Sequence, residues 1–508
     1  MKGHSLFSLA IALIISCFLS PAFAQKTKKP VKPKKPARHY QVARHTPAAI
    51  LTGSSQLSSE LTRILQTSKG NVTIGVYVKS MKYNDNLYSK NIWQPFVPAS
   101  ILKVLTAEAA LIFLGPDYRF PTQVLTDAKG VSNGILQGNI YIVQSGDPTL
   151  NYYDLTDLMV ALKAQQIQGI AGNVYIDNNA YDQAIYGPGW LWKDKKYCYA
   201  APISASIINR NCLSLKMLPG KSVGNPAQIV TSPRYYYPAI KNNVVTTSGK
   251  SRGCPLELST EPNSALSVNG CMAKGRYAWG VNYVISDINN YNRSLFQNLF
   301  RRYGIHINGQ ILSGVAPSDL SVLALHQSKP LRLLVNDMLK KSDNIIAGSL
   351  FKKMGQLFTR KQGSWENGGI AVTQILNQHA KMSGSGIRVV DGSGLSQENR
   401  LTPAQMMQVL DFAFHHYATN YEFMSALPIS GVDGTLKHRM GNITRKIRAK
   451  TGTMSESGVI SLAGYALSAE KEPIAFVIMV NGYHKGTGWW YRGLEDKIAT
   501  ALTQFKRT

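Results

Sequence analysis

Runs rich in apolar and β-forming residues, separated by polar turn residues, lie near both ends of the chain and predict short β-strands there. The runs lie at 72–79, 84–89, 446–451, 458–467 and 473–481. A polar turn joins the first two runs, and a helical period of apolar residues follows the last run at 490–505. Two early strands and three late ones, with helical segments between them, predict one five-stranded antiparallel sheet assembled from both ends of the chain.

A helix that is apolar on nearly every side is predicted after the two early strands. It opens at residues 98–100, runs as ILKVLTAEAALIFL to Leu114, and ends at a Gly-Pro pair. Such a helix is typical of a buried central position, because it has no polar face to turn toward water. Helical periodicity returns at 330–357 and 402–416.

The middle of the chain differs from both ends in its residue pattern. Between 121 and 320, short strand-like runs such as QGNIYIVQ and WGVNYVIS are broken by Gly, Asn and Pro. This pattern predicts a mostly β region inserted into an α+β domain. We therefore expect a main domain made of 48–120 and 321–508, an insertion over 121–320, and two amino-terminal segments at 1–24 and 25–47.

The amino terminus carries the features of an export signal. Lys2 precedes an apolar run over 6–19, and small residues at positions 22 and 24 predict a signal peptide over 1–24. Cys17 loosely resembles a lipoprotein box, so lipidation is an open alternative. We expect an exported, periplasmic protein.

Residues 25–47 contain eight Lys or Arg, four Pro and no acid, which predicts an extended, solvated linker. The whole chain has a formal net charge of +28, so polyanions are plausible neighbours. Because the protein is exported, we expect peripheral attraction to the membrane or to an anionic wall through 25–47, and no nucleic-acid partner. A spacer whose charge serves only solubility is the alternative.

Four cysteines remain once the signal peptide is removed, namely Cys198, Cys212, Cys254 and Cys271. An even number in an exported protein favours two disulfides. Of the three connectivities, sequential pairing closes the shortest loops, so we expect Cys198–Cys212 and Cys254–Cys271, with free buried thiols as the alternative. No metal-binding motif of Cys or His is present, and we expect neither a metal nor a cofactor.

Candidate chemistry begins with Ser100-Ile101-Leu102-Lys103, an S-x-x-K box at the start of the predicted buried helix. Positions i and i+3 share a helix face, so Lys103 can reach Ser100 across one turn. A serine hydroxyl becomes a nucleophile when a base takes its proton, and a lysine is such a base only when burial lowers its pKa. Alone, the box is a weak signal, because it arises by chance in many proteins.

Two further boxes strengthen the signal. Ser342-Asp343-Asn344 follows a helical run, and Lys450-Thr451-Gly452-Thr453 lies on a predicted strand, in the chain order S-x-x-K, S-x-N, K-T-G. A second serine and an amide can relay a proton and orient a peptide bond. The ammonium of Lys450 with the hydroxyls of Thr451 and Thr453 offers a recess for a free carboxylate.

With these three boxes the sequence resembles the serine D-Ala-D-Ala carboxypeptidase/endopeptidases, low-molecular-mass penicillin-binding proteins with a large insertion between the first and second boxes. Further family-like runs lie at 146–150, 391–396 and 431–435. The resemblance covers about residue 57 to the end. It implies a penicillin-binding-protein/β-lactamase-like transpeptidase domain with a five-stranded antiparallel sheet.

The resemblance also implies roles for individual residues. Ser100 would be the acylated nucleophile, Lys103 the general base, Ser342 the proton shuttle, Asn344 a substrate-amide contact and Lys450 the carboxylate anchor. The expected substrates are peptidoglycan stem peptides ending in D-Ala–D-Ala, with cleavage of D-Ala cross-links left open, and β-lactam antibiotics would be covalent inhibitors. The role of the insertion stays unassigned.

Two alternatives remain at this stage. A β-lactamase uses the same boxes but must deacylate quickly, and no glutamate here lies in the E-x-x-L-N context that serves this purpose in class A enzymes. A non-catalytic wall-binding or penicillin-sensing protein is the second alternative, but it would not need the complete set of catalytic side chains. We therefore expect a D-Ala-D-Ala carboxypeptidase.

Overall fold

The chain folds into helices and mainly antiparallel sheets. The computed structural model describes residues 50–232, 240–249, 253–260, 266–275 and 277–508, so the predicted signal peptide, Cys17 and the linker 25–47 lie outside the described residues. The strands are β1 (Leu51–Thr52), β2 (Thr73–Ser80), β3 (Asn86–Lys90), β4 (Pro121–Thr126), β5 (Val131–Ser132), β6 (Ile135–Leu136), β7 (Ile140–Gln144), β8 (Gly169–Ile170), β9 (Val174–Asp177), β10 (Cys212–Leu218), β11 (Gln228–Ser232), β12 (Lys241–Thr247), β13 (Glu257–Thr260), β14 (Leu266–Ala273), β15 (Trp279–Val284), β16 (His306–Ile307), β17 (Ile311–Ser313), β18 (Ser321–Gln327), β19 (Ile447–Met454), β20 (Val459–Leu467), β21 (Pro473–Asn481) and β22 (Phe505–Lys506). The helices are α1 (Gly53–Gln66), α2 (Lys103–Leu114), α3 (Tyr152–Ala164), α4 (Ile288–Arg302), α5 (Leu331–Lys341), α6 (Asn344–Thr359), α7 (Trp365–Ala380), α8 (Pro403–His415), α9 (Tyr417–Ala426) and α10 (Gly488–Gln504).

The predicted sheet from both chain ends is confirmed. Its order is β19-β20-β21-β2-β3, and every neighbouring pair is antiparallel. Strands β20 and β21 are apolar along almost their whole length, as expected for strands whose two faces are both buried. Alternate residues of β21, such as Val477 and Ile478, belong to two different core clusters. Helix α8 packs against β21, and α10 packs against β20.

Helix α2 is buried, as predicted, with side chains 103–111 all inside the core. It packs against α5, α6, α7, α8 and α9. The predicted helix differs at its start, because residues Ala99–Leu102 form a 3-10 turn and the α-helix begins at Lys103. The pattern predicts the burial correctly but not the tighter first turn.

The helical run predicted over 330–357 is two helices, α5 and α6. Ser342 ends α5 in the left-handed region with φ 58°, and the side chain of Asp343 caps α6 by accepting from the backbone N–H of Ile345 and Ile346 at 2.9 and 3.1 Å. An aspartate is a favoured N-cap residue, so the break has a local sequence cause. It positions the S-x-N box in the bend between two helices.

The middle of the chain contains most of the remaining sheets. The sheet β17-β9-β7-β4-β18 is mixed, and β16-β8-β6-β5, β11-β10-β15 and β12-β14-β13 lie in the same stretch. The prediction missed helices α3 and α4 there. The expected boundary at 320/321 is also displaced, because β18 (Ser321–Gln327) pairs with β4 and belongs to the sheet of the inserted region.

The predicted disulfides Cys198–Cys212 and Cys254–Cys271 are present, with Cα–Cα distances of 5.7 and 5.4 Å. The described residues from 50 to 508 form one compact unit. Within the described ranges, no helix is both long and apolar enough to span a membrane.

Candidate active site

Ser100 lies in the 3-10 turn between the sheet and helix α2, half-buried while the residues that follow it are fully enclosed. The preceding residue, Ala99, has a φ of 50°, which is uncommon for a residue with a side chain. Gly394 packs directly against this turn, and a Cβ at that position would collide with the carbonyl oxygen of Ala99. The loop at 391–396 therefore holds the serine turn in place through a contact that requires glycine.

Lys103 is fully buried and its amine has three partners. The Nζ donates to Ser100 Oγ at 3.0 Å, to Asn344 Oδ1 at 2.7 Å and to the carbonyl oxygen of Ser393 at 2.6 Å. Burial lowers the pKa of Lys103 to about 7, against the opposing attraction of Asp391 and Asp343. At neutral pH about half of this amine is uncharged, so it can accept the proton of the Ser100 hydroxyl.

The two polar residues of the S-x-N box contact different lysines. Ser342 Oγ accepts a hydrogen bond from Lys450 Nζ at 2.8 Å. Asn344 accepts from Lys103 through Oδ1 and donates through Nδ2 to the carbonyl oxygen of Tyr199 at 2.8 Å. Both ends of the Asn344 amide are thus engaged by the protein, whereas the sequence-based expectation gave this residue a contact with the substrate.

Lys450 lies on β19, fully buried beside the Ser342 hydroxyl, and its Nζ also donates to the carbonyl oxygen of Thr451 at 2.8 Å. Burial, and then repulsion by Lys103, lower the pKa of Lys450 well below its usual value. No carboxylate contacts it among the described residues. An incoming substrate carboxylate would favour the charged form of this amine, so binding of the anion and protonation of Lys450 are coupled.

The threonines of the K-T-G strand lie on its accessible side. Thr451 Oγ1 donates to Thr435 Oγ1 at 2.8 Å, and the Thr453 side chain is exposed. Thr435 ends one of the family-like runs noted in the sequence, but nothing in the pattern indicated that it contacts the K-T-G box.

Asp391 was not predicted as a site residue, yet it organises the loop that holds Lys103. Its carboxylate is fully buried and accepts from the side chains of Trp190, Ser393 and Asn399 at 2.8, 2.9 and 2.8 Å, and from backbone N–H groups of the same loop. The loop carbonyl of Ser393 is thereby fixed against Lys103. The D-G-S-G run is visible in the sequence, but the sequence does not show that this loop contacts Lys103.

The inserted region contributes directly to the site. Tyr199, next to the Cys198–Cys212 disulfide, supplies the carbonyl that binds Asn344. Arg210 pairs with Asp343 at 2.7 Å. No sequence signal points to Tyr199, because it acts through its backbone.

Comparison with known proteins finds relatives across most of the chain. A family model described as D-Ala-D-Ala carboxypeptidase 3 (S13) family matches residues 57–499. The D-alanyl-D-alanine carboxypeptidase DacB of Haemophilus influenzae is 33% identical over 439 residues, which cover 85% of this chain and 89% of that protein.

Solved structures also match this chain over most of its length. The crystal structure of penicillin binding protein 4 from Haemophilus influenzae matches with a TM-score of 0.78 and 31% identity, and the match covers 87% of this chain and 99% of that chain. The crystal structure of the same protein complexed with a novel β-lactam matches with a TM-score of 0.73 and 30% identity, over 87% and 99% of the two chains. These matches span both the sheet that carries the site and the inserted region.

Proposed function

The chain belongs to the D-Ala-D-Ala carboxypeptidase 3 (S13) family and is a D-Ala-D-Ala carboxypeptidase, and we propose that it works through an acyl-enzyme on Ser100. The observation that carries this assignment is the buried amine of Lys103, which lies 3.0 Å from the Ser100 hydroxyl and has its pKa lowered to about 7. A serine beside an uncharged amine is an activated nucleophile.

In the acylation step, neutral Lys103 accepts the proton of Ser100 Oγ as that oxygen attacks the carbonyl carbon of the penultimate D-Ala. A C–O bond to the serine forms, and the C–N bond to the terminal D-Ala breaks. Backbone N–H groups of Ser100 and Thr453 are our candidates for the donors that stabilise the oxyanion. Water then attacks the ester carbonyl carbon as Lys103 accepts one of its protons. The C–O bond to Ser100 breaks, and Lys103 returns the proton to Ser100 Oγ, which restores the free enzyme.

The leaving amine needs the proton that Lys103 has taken. We assign its delivery to Ser342, whose hydroxyl bonds to Lys450 in the free enzyme. Lys450, with Thr451 and Thr453, is our carboxylate anchor, which would favour peptides that end in a free D-Ala carboxylate. Asn344 is assigned to positioning Lys103, since its amide oxygen lies 2.7 Å from that amine.

The relative from Haemophilus influenzae has been crystallised with a β-lactam. We propose that β-lactams acylate Ser100 in the present chain as well. Deacylation of that adduct should be slow, because no glutamate lies in the E-x-x-L-N context that class A β-lactamases use. The expected outcome is inhibition and not hydrolysis of the drug.

The place of action is the periplasm in this proposal, supported by the export signal over 1–24. The basic segment 25–47 would hold the enzyme near the anionic wall or membrane by long-range attraction.

Release of D-Ala from a synthetic pentapeptide, together with intact-mass measurement after benzylpenicillin treatment, tests the assignment. We expect the parent protein to release D-Ala and gain the mass of one penicillin, and Ser100→Ala to do neither while keeping its melting temperature. Penicillin labelling of Ser100→Ala at the parent rate would show that the nucleophile is another residue. Labelling without D-Ala release from any peptide would favour a penicillin-sensing protein, and a cross-linked dimer as substrate tests for endopeptidase activity.

A further inference from the structure

A groove of about 730 Å³ lies in the inserted region, lined by one face of α4, by β16 and by the start of β17. None of its lining residues belongs to the catalytic site described above. Its volume falls within the range of about 300–1,000 Å³ that small-ligand sites occupy. The carboxypeptidase reaction gives it no role.

The wall of the groove that α4 forms is cationic. Arg293, Gln297 and Arg301 recur every four residues along α4, so they share one helix face, and His306 stands at the opposite side. The Cα atoms of Arg293 and Arg301 are about 12 Å apart along the helix axis, at 1.5 Å of rise per residue. All four side chains are exposed.

Neither guanidinium has an ion-pair partner among the described residues, and none of the described residues that line the groove is acidic. In contrast, Arg210 and Arg439, elsewhere on the chain, are each paired with a carboxylate. Two unpaired arginines in one concave site form a receptor for carboxylates, because the planar fork of arginine matches their geometry.

The floor of the groove is apolar. Phe300 and Ile305 are almost fully buried beneath it, and Ile307, Ile311 and Leu312 are partly buried at its base. A ligand that fits must therefore combine anionic groups with a body that carries methyl or other apolar surface.

From this geometry we propose that the groove binds a second segment of peptidoglycan, through carboxylates of a stem peptide held by Arg293 and Arg301. Acetylated sugars with attached peptide supply both the anionic groups and the methyl-bearing body that the floor requires. The proposal rests on the proposed function only for the identity of the polymer. It gives the inserted region the task of retaining the enzyme on its wall substrate while the catalytic site acts elsewhere on it.

The test measures binding of a soluble disaccharide tetrapeptide to the full mature protein by calorimetry. Arg293→Gln with Arg301→Gln should weaken the affinity by about tenfold or more, the scale expected for charge-assisted hydrogen bonds. Lys241→Gln with Lys274→Gln is the matched control, because it removes the same charge from exposed positions of the inserted region outside the groove. The control should stay within about twofold.

Two further measurements separate the outcomes. The same fragment with amidated carboxylates should bind the parent as weakly as the native fragment binds the double arginine variant. Release of D-Ala from a small acyl-D-Ala-D-Ala peptide should be equal in all variants, and its absence in the parent would refute the proposed function but not the groove. Three results would overturn the groove proposal. The first is an unchanged affinity in the double arginine variant, and the second is equal binding of the native and amidated fragments by the parent protein. The third is capture by vesicles with anionic lipid that depends on the two arginines.

Discussion

Replacing Asn344 by aspartate tests whether Lys103 is the base. The Asn344 Oδ1 atom lies 2.7 Å from Lys103 Nζ, so Asn344→Asp introduces a carboxylate of nearly the same shape in contact with the buried amine. An opposite charge at this distance stabilises the protonated form of a lysine. The pKa of Lys103 must therefore rise from its value of about 7.

The size of the effect follows from this contact. A nearby opposite charge typically moves a pKa by about 1 to 3, which would bring Lys103 to about 8–10. At pH 7 the uncharged fraction of the amine then falls from about one half to between about one tenth and one thousandth. Acylation at pH 7 should fall about 5- to 500-fold, and raising the pH should recover it, because deprotonation restores the base.

The assay is the second-order rate constant of benzylpenicillin acylation, followed by mass spectrometry from pH 5 to 10. The parent should lose rate below an inflection near 7, and Asn344→Asp should show the same inflection displaced to higher pH. Asn344→Ala is the control, because it removes the hydrogen bond without adding a charge and should lower the rate while leaving the inflection where it was or below. An inflection that stays near 7 in the aspartate variant would refute the assignment of Lys103.

Three other predictions concern parts of the protein with different roles. In steady-state hydrolysis, Lys450→Ala should raise the KM of peptides with a free terminal carboxylate far more than that of their amidated counterparts. An equal rise in KM for both kinds of peptide would contradict the role of Lys450 as the carboxylate anchor. Cys198→Ser with Cys212→Ser should lower the free energy of unfolding by roughly 3 kcal/mol in urea titration, as expected for a short closed loop, whereas an unchanged midpoint would contradict a stabilising disulfide. Deleting 25–47 should weaken pelleting with purified wall or membrane at low salt, with little difference at high salt because the Debye length is then only a few ångström. Equal pelleting of both forms at low salt would make the segment a spacer.

Local sequence was sufficient for several elements of the site. The S-x-x-K, S-x-N and K-T-G boxes predict five site residues. In the structure Lys103 lies within hydrogen-bond distance of Ser100 and Asn344, and Lys450 lies within hydrogen-bond distance of Ser342. Apolar runs bounded by turn residues predicted the five-stranded sheet, since strands buried on both faces consist of long apolar runs. The disulfide pairing followed from loop length and export. Helices α3 and α4 also have local signals in the sequence, because each begins at an N-cap residue, Asn151 or Asp287, and carries apolar residues with a helical period.

Other features depend on contacts between distant parts of the chain. Strand β18 belongs to the sheet of the inserted region because it pairs with β4, about two hundred residues earlier. The residue pattern of a strand does not indicate which other strand it pairs with. The third partner of Lys103 is a backbone carbonyl 290 positions away, and the carbonyl of Tyr199 fixes Asn344 from within the insertion.

The sequence by itself indicated which side chains we propose for the chemistry, because the residue types and the order of the three boxes are those that acyl transfer on a serine requires. Only the tertiary structure decided the burial and the pKa values of those side chains. The lowered pKa of Lys103 arises from the removal of water by residues drawn from distant segments, and burial likewise lowers the pKa of Lys450. Desolvation is a property of the assembled core, so no local pattern along the chain can encode its magnitude.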